Sequence, residues 1–205
     1  VALITAKDHA AVVDAIAAAE RTTNAEIITV LARASDDYLL VGLAGAAIIA
    51  LVLGTLALLA GLDPVWIVTG QLIGVCALLL LFRFTTLAVR FVPLALRHRR
   101  AEDLARRQFL EQRLHHTVGH TGFLIFVSEA EHYVEIIADR GIAAHVDDVR
   151  WHQIIERFVA EVRRDRAVQG LIAAIAHCGE VLAEVVPKTP DNRNELDDRL
   201  VLIGY

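Results

Sequence analysis

Charge is what this 205-residue chain lacks over its most distinctive stretch. No charged residue occurs between Asp37 and Asp63, where YLLVGLAGAAIIALVLGTLALLAGL fills the gap, and a second uncharged run, VWIVTGQLIGVCALLLLF, extends from Asp63-Pro64 to Arg83. Each run reaches the roughly 20 apolar residues that a helix needs to cross a bilayer about 30 Å thick. Only Gly61-Leu62-Asp63-Pro64 links them, so the two helices must turn straight back as a hairpin. Helices apolar on every face leave a small soluble protein nothing to bury them against. The expectation is a membrane protein with spans at 38–62 and 65–92, the latter including an interfacial extension, and both termini on one side.

Cysteine is scarce. Cys76 falls inside the second run and Cys178 in a soluble helical stretch, so the two cannot pair; this fits a reducing compartment. The opening VALITAKDHAAV lacks a basic n-region and an apolar h-region, so the hairpin itself, not a cleavable signal, is expected to direct insertion. There is no G-x-S-x-G, no Walker A and no H-E-x-x-H. A net charge of −5 gives no general case for binding nucleic acid, and the mean hydropathy of +0.50 reflects the two uncharged runs.

What basic residues there are set the orientation. The turn carries Asp63 and no Lys or Arg, whereas Arg83, Arg90, Arg97, Arg99 and Arg100 follow the second run and Arg33 precedes the first. Positive charge beside span ends marks the cytoplasmic side. The soluble parts are therefore expected to face the cytoplasm, with two spans and both termini cytoplasmic. Trp66 fits the interfacial aromatic belt at the outer end of the second span.

Outside the hairpin about 160 residues remain, enough for one domain. Thr5 with Asp8 resembles a capping box, and Val12, Val13 and Ile16 make a helix ending near Arg21. AEIITVLAR (25–33) reads as a strand with Ile27, Thr29 and Leu31 on one face and Ile28, Val30 and Ala32 on the other, apolar on both and so covered on both. FTTLAVRFVPLALRHRR either lies along the inner interface or extends the second span with a stop-transfer cluster. AEDLARRQFLEQRLHHT (101–117) reads as a helix ended by Gly119. TGFLIFVS (121–128) and YVEIIADRG (133–141) read as a hairpin around EAEH. Two helices close the domain, one capped by Asp147-Asp148 with the stripe Trp151, Ile154, Ile155, Phe158, Val159 and Val162, and one running from Val168 to Val185. A short strand-like end follows. One helix and one strand before residue 38 cannot bury a core alone. Segments 1–37 and 98–205 are therefore expected to form one discontinuous α/β domain, its first two strands parallel and their crossover interrupted by the hairpin.

The order of these elements, TNAEIITVLAR followed by TGFLIFVSEAEHYVEIIADRGI, resembles the TPM-domain family. HYVEIIADRGI and the tail DNRNELDDRL resemble its bacterial membrane branch, in which a two-helix hairpin follows the first strand. The resemblance implies a sandwich of helices around a small mixed sheet. It implies diverse function: plant members are tied to photosystem II repair and weak acid phosphatase activity, an animal member is an accessory subunit of acetylcholine-gated receptors, and some bacterial members bind calcium or related ions.

Three groups of residues are candidates on their own chemistry. Asp139, Asp147 and Asp148 gather in loops where carboxylates and carbonyls suit Ca²⁺ or another divalent cation; the same residues suit helix N-caps and a strand-end turn. Gly42, Gly45 and Ala46 allow close helix approach within the first span. Arg97, Arg99 and Arg100 suit lipid phosphate or an acidic partner. His115, His116 and His120 lack a Cys or carboxylate at zinc-ligand spacing, so solvated helix-end histidines are the simpler account. The function expected is a non-enzymatic accessory or assembly factor that binds an integral membrane protein or complex. The alternatives are a weak metal-dependent acid phosphatase and a cation or lipid sensor.

Overall fold

The computed structural model describes residues 6–84, 89, 92–190, 195–197 and 199–204. Helix α1 (Ala6–Glu20) leads into strand β1 (Glu26–Ala32), and two long helices follow, α2 (Leu39–Leu59) and α3 (Pro64–Phe84). The chain then returns through α4 (Leu94–Glu111), a 3₁₀ turn (Leu114–His116), β2 (Gly122–Ser128) and β3 (Tyr133–Ala138). It ends with α5 (Arg140–Ala143), α6 (Asp148–Val162), α7 (Ala167–Val185) and β4 (Arg199–Ile203). The four strands form one mixed sheet in the order β3-β2-β1-β4, with β1 parallel to both β2 and β4, and β3 antiparallel to β2.

Every residue of β1 and β2 is buried because both faces of the sheet are covered. The alternation read from the sequence holds. Ile27 and Leu31, with Phe123, Ile125 and Val127 of β2, pack in one cluster with residues of α1, α6 and α7. Ile28, Val30, Ala32, Leu124 and Phe126 pack on the other face with Ala101, Leu104 and Ala105 of α4. The crossover between the parallel strands β1 and β2 thus contains both α4 and the α2–α3 pair. The C-terminal strand joins the free side of β1 in register from Ile28↔Arg199 to Ala32↔Ile203.

The helices α2 and α3 have no comparable cover. Leu40 and Leu59 are 80% exposed and Trp66 76%, and the two helices pack chiefly on each other. Their close approach is at Gly54, where an added Cβ would lie 1.8 Å from Gln71 Nε2; Gln71 donates to the Ala50 carbonyl at 2.9 Å. Among the described residues three helices, α2, α3 and α7, are long and apolar enough to cross a membrane. Of these, α7 is built into the domain core through Leu171, Ile175, Cys178 and Leu182. Cys76 and Cys178 are both free thiols.

Several boundaries differ from those read in the sequence. The helix expected over 101–117 runs from Leu94 to Glu111, so the domain boundary placed at 98 falls inside it. Pro93, with φ −53° and ψ 139°, sits at its N-cap, where a missing N–H costs nothing. The break at its other end comes at Arg113, in the left-handed region at φ 60°, rather than at Gly119. Strand β3 stops at Ala138 because Asp139 caps the short α5, a helix the sequence reading did not separate from the strand. Thr5 of the expected capping box, Arg90, and 191–194 of the tail lie outside the described residues, as does the side chain of Arg83.

Candidate functional site

Because β1 and β2 are parallel, their C-terminal ends emerge together, and this is the end of the sheet from which the chain enters α2. Ladder bonding continues past the strands: Glu129 N–H donates to Ala32 O at 2.9 Å, and Ala130 N–H to Arg33 O at 3.1 Å. A turn closed by His132 N–H to Glu129 O then reverses the chain into β3, with His132 at φ 52°. Glu131 in this turn is fully buried. Its Oε1 accepts from Ser35 N–H at 2.9 Å and from the Tyr38 hydroxyl at 2.7 Å, and its Oε2 from the Ser128 hydroxyl. The Ser35 and Ser128 hydroxyls also meet at 2.9 Å. A buried carboxyl with three donors is satisfied, and here it ties the entry of α2 to the β2–β3 turn. Tyr38, Val89 and Val92 pack as a small apolar cluster at the same junction.

Beside this junction lies a cavity of about 570 Å³ between the sheet end, α6 and the start of α7, within the range of small-molecule sites. Its walls are apolar: Leu31, Val127, Val134, Phe158, Val159, Val168 and Leu171. Ser128, Glu129, His132, Tyr133 and Arg163 supply its polar groups. Glu129 Oε1 is buried there without a hydrogen-bond partner. Burial pushes the Glu129 carboxyl up to about 7, with the Arg33 guanidinium pulling part of the way back. The arrangement can hold an apolar guest beside a carboxyl that changes charge near neutrality. Sequence reasoning passed over it, since EAEH read only as a turn and the donors to Glu131 stand 93 and 96 positions away in the chain.

The opposite end of the sheet holds the acidic residues singled out from the sequence. Asp139 Oδ1 accepts from Arg140 N–H at 2.7 Å, and Oδ2 lies 3.3 Å from His120 Nδ1, whose other ring nitrogen meets Arg140. Asp147 caps α6 through Val149 N–H at 3.1 Å, and Asp148 stands in the first turn. Among the described residues no three His, Cys, Asp or Glu side chains come together as a metal ion would need. Asp139 and Asp147 are thus engaged as caps, and Asp148, in the first turn of α6, does not join them as a group. The His115 and His116 rings meet tilted at 46° with centroids 4.1 Å apart, whereas His120 pairs with Asp139. The ADRGI segment has a structural account: Asp139 caps, Ile142 is fully buried, and a Cβ at Gly141 would meet Gly119 O at 2.3 Å.

The remaining candidates separate. Arg100 pairs with Asp36 at 3.2 Å, joining α4 to the entry of α2. Arg99 is exposed, and Arg97 Nε is buried without a partner among the described residues. Gly42 and Ala46 are buried, whereas nothing lies within 4 Å of a Cβ built at Gly45.

Residues 83–181 match the model of the TPM domain. The matched stretch starts at the end of α3 and runs through α4, β2, β3, α5 and α6 into α7, while β1, which completes the sheet between β2 and β4, lies before the hairpin. The NMR structure of the BA42 protein from the psychrophilic bacterium Bizionia argentinensis is similar at 21% identity and a TM-score of 0.61, covering 97% of this chain and 94% of that one. At that identity the likeness carries the fold: a TPM-like α/β arrangement with a small mixed sheet. No curated protein matches the chain.

Proposed function

We propose that this chain is a membrane-anchored, non-enzymatic accessory or assembly factor whose α2–α3 hairpin spans the bacterial inner membrane. The hairpin would pack beside the spans of an integral membrane protein or complex, and the α/β domain would present its contact surface in the cytoplasm. One observation carries this reading: α2 and α3 are each 21 residues long, uncharged up to Arg83, and among the described residues most of their large apolar side chains are exposed. Such surface is costly in water at about 25 cal/mol per Å² and costs nothing in lipid. Arg33, Arg97, Arg99 and Arg100 at the domain end, against Asp63 alone in the turn, support the cytoplasmic placement. The Arg100–Asp36 pair and the Glu131 junction support rigid transmission between hairpin and domain.

The open space at Gly45 supports a partner helix on that part of α2. Gentle detergent extraction followed by identification of co-purifying membrane proteins tests the reading. Gly45→Leu should weaken recovery of the complex while insertion and folding persist; recovery without loss would move the interface to the α/β domain. An alkaline phosphatase fused after residue 205 should stay silent because it is held in the cytoplasm, and an active one would reverse the orientation. Phosphomonoester turnover by the purified chain, abolished by Asp139→Asn, would replace this reading with the metal-dependent phosphatase.

A further inference from the structure

We propose that the cavity at the C-terminal ends of β1 and β2 binds a single-chain anionic amphiphile, a long-chain carboxylate. Its tail would lie against Val127, Val134, Phe158, Val159 and Leu171 and its head at Arg163 and Glu129. The walls argue for the tail: they are mostly aliphatic or phenyl on the sheet side and on both helices, and an apolar-walled space of about 570 Å³ gains most from an apolar guest. The polar groups argue for the head. Arg163 closes α6 at the cavity, is exposed, and has no ion-pair partner among the described residues, unlike Arg164 and Arg166, which both pair with Glu161. Its guanidinium offers the planar fork that matches a carboxylate.

Glu129 completes the head site. It lines the cavity, and its buried, unpartnered Oε1 makes the ionised form costly there. A protonated carboxyl there donates to the incoming carboxylate, whereas the ionised form repels it. Burial has already raised the Glu129 carboxyl to about 7, so the donating form is present near neutrality. Among the described residues, the charged and titratable groups around it are Arg33 just after β1, His132 and Tyr133 in the turn and β3, and Arg163 at the end of α6. Three of these four are basic groups, which favours an anion over an alkylammonium head. The proposal does not depend on where the hairpin resides.

Photolabelling tests this with the full chain in phosphatidylcholine nanodiscs and a diazirine-bearing hexadecanoate. Crosslinks are expected in the peptides around 127–134 and 158–171. Hexadecanoate should displace them and hexadecyltrimethylammonium should not. Labelling should fall at least tenfold in Arg163→Glu and in Val159→Trp, which fills the cavity, and be retained in Arg163→Lys. In the native chain labelling should fall as pH rises through about 7; in Glu129→Gln, whose amide donates at any pH, that step should vanish. Labelling confined to 39–84, equal displacement by the cationic amphiphile, or labelling unchanged in Arg163→Glu would each overturn the proposal. Because Arg163 is exposed, that variant separates loss of the site from loss of the fold.

Discussion

Replacing Glu131 by alanine probes a junction that couples hairpin to sheet. In the native chain its carboxyl accepts from Ser35 N–H at 2.9 Å and Tyr38 O–H at 2.7 Å, in a place with no exposure to water. Alanine removes the acceptor from both donors, while Ser128 keeps the Ser35 hydroxyl as an alternative partner. Each buried donor left unsatisfied costs about 1–3 kcal/mol, so the loss should fall between about 2 and 6 kcal/mol. That is a large share of a typical domain stability of about 5–15 kcal/mol. Thermal unfolding of the full chain in mild detergent, followed by near-UV circular dichroism, measures it. Limited proteolysis should show faster cleavage within 33–38. Glutamine is the informative control. Its amide oxygen can still accept from Ser35 and Tyr38, and the Ser128 hydroxyl can turn to accept from the amide nitrogen, so it should cost about 1 kcal/mol. A loss below about 1 kcal/mol in the alanine variant, or equal damage in both, would refute the reasoning.

Other perturbations follow from the same geometry. The folded-state value of Glu129, about 7 against an ordinary 4.5, means that its contribution to stability is full below 4.5 and lost as pH rises through 7. Glu129→Gln should flatten that slope and be more stable than the native chain at pH 8 by at most about 3 kcal/mol, less for solvent screening, in melts across pH 4–9. Gly141→Ala would set a Cβ 2.3 Å from Gly119 O and 2.6 Å from His120 O; a shift of two backbone segments should cost about 1–3 kcal/mol by chemical denaturation. Asp147→Ala should lower stability by about 1 kcal/mol through loss of the α6 cap; no change in melting temperature would show that the cap is dispensable. Arg100→Ala, which breaks only an exposed pair, should change stability by less than about 1 kcal/mol.

Much of the fold is local and therefore legible in the sequence. Two uncharged runs with a four-residue link set two long helices back to back, since neither has a polar face to leave in water. The alternation in 25–33 placed Ile27 and Leu31 opposite Ile28 and Val30, as the two core clusters show. A strand too short to bury a core alone had to pair beyond the hairpin, and it pairs with β2 in parallel. Asp147 announced its cap by standing just before a clean apolar stripe. Tertiary structure decided what depends on distant partners. It set β4 against β1 rather than elsewhere. It engaged Asp139 in a cap and a histidine contact. It made Glu131 a buried acceptor by bringing Ser35 and Tyr38 to it across more than 90 positions of chain. The cavity beside Glu129 belongs to the same class, because its walls come from β1, β2, β3, α6 and α7 at once. Hydrophobic periodicity tells a residue which way to face; which polar atoms then meet, and which are left unpaired, is fixed only when the elements pack.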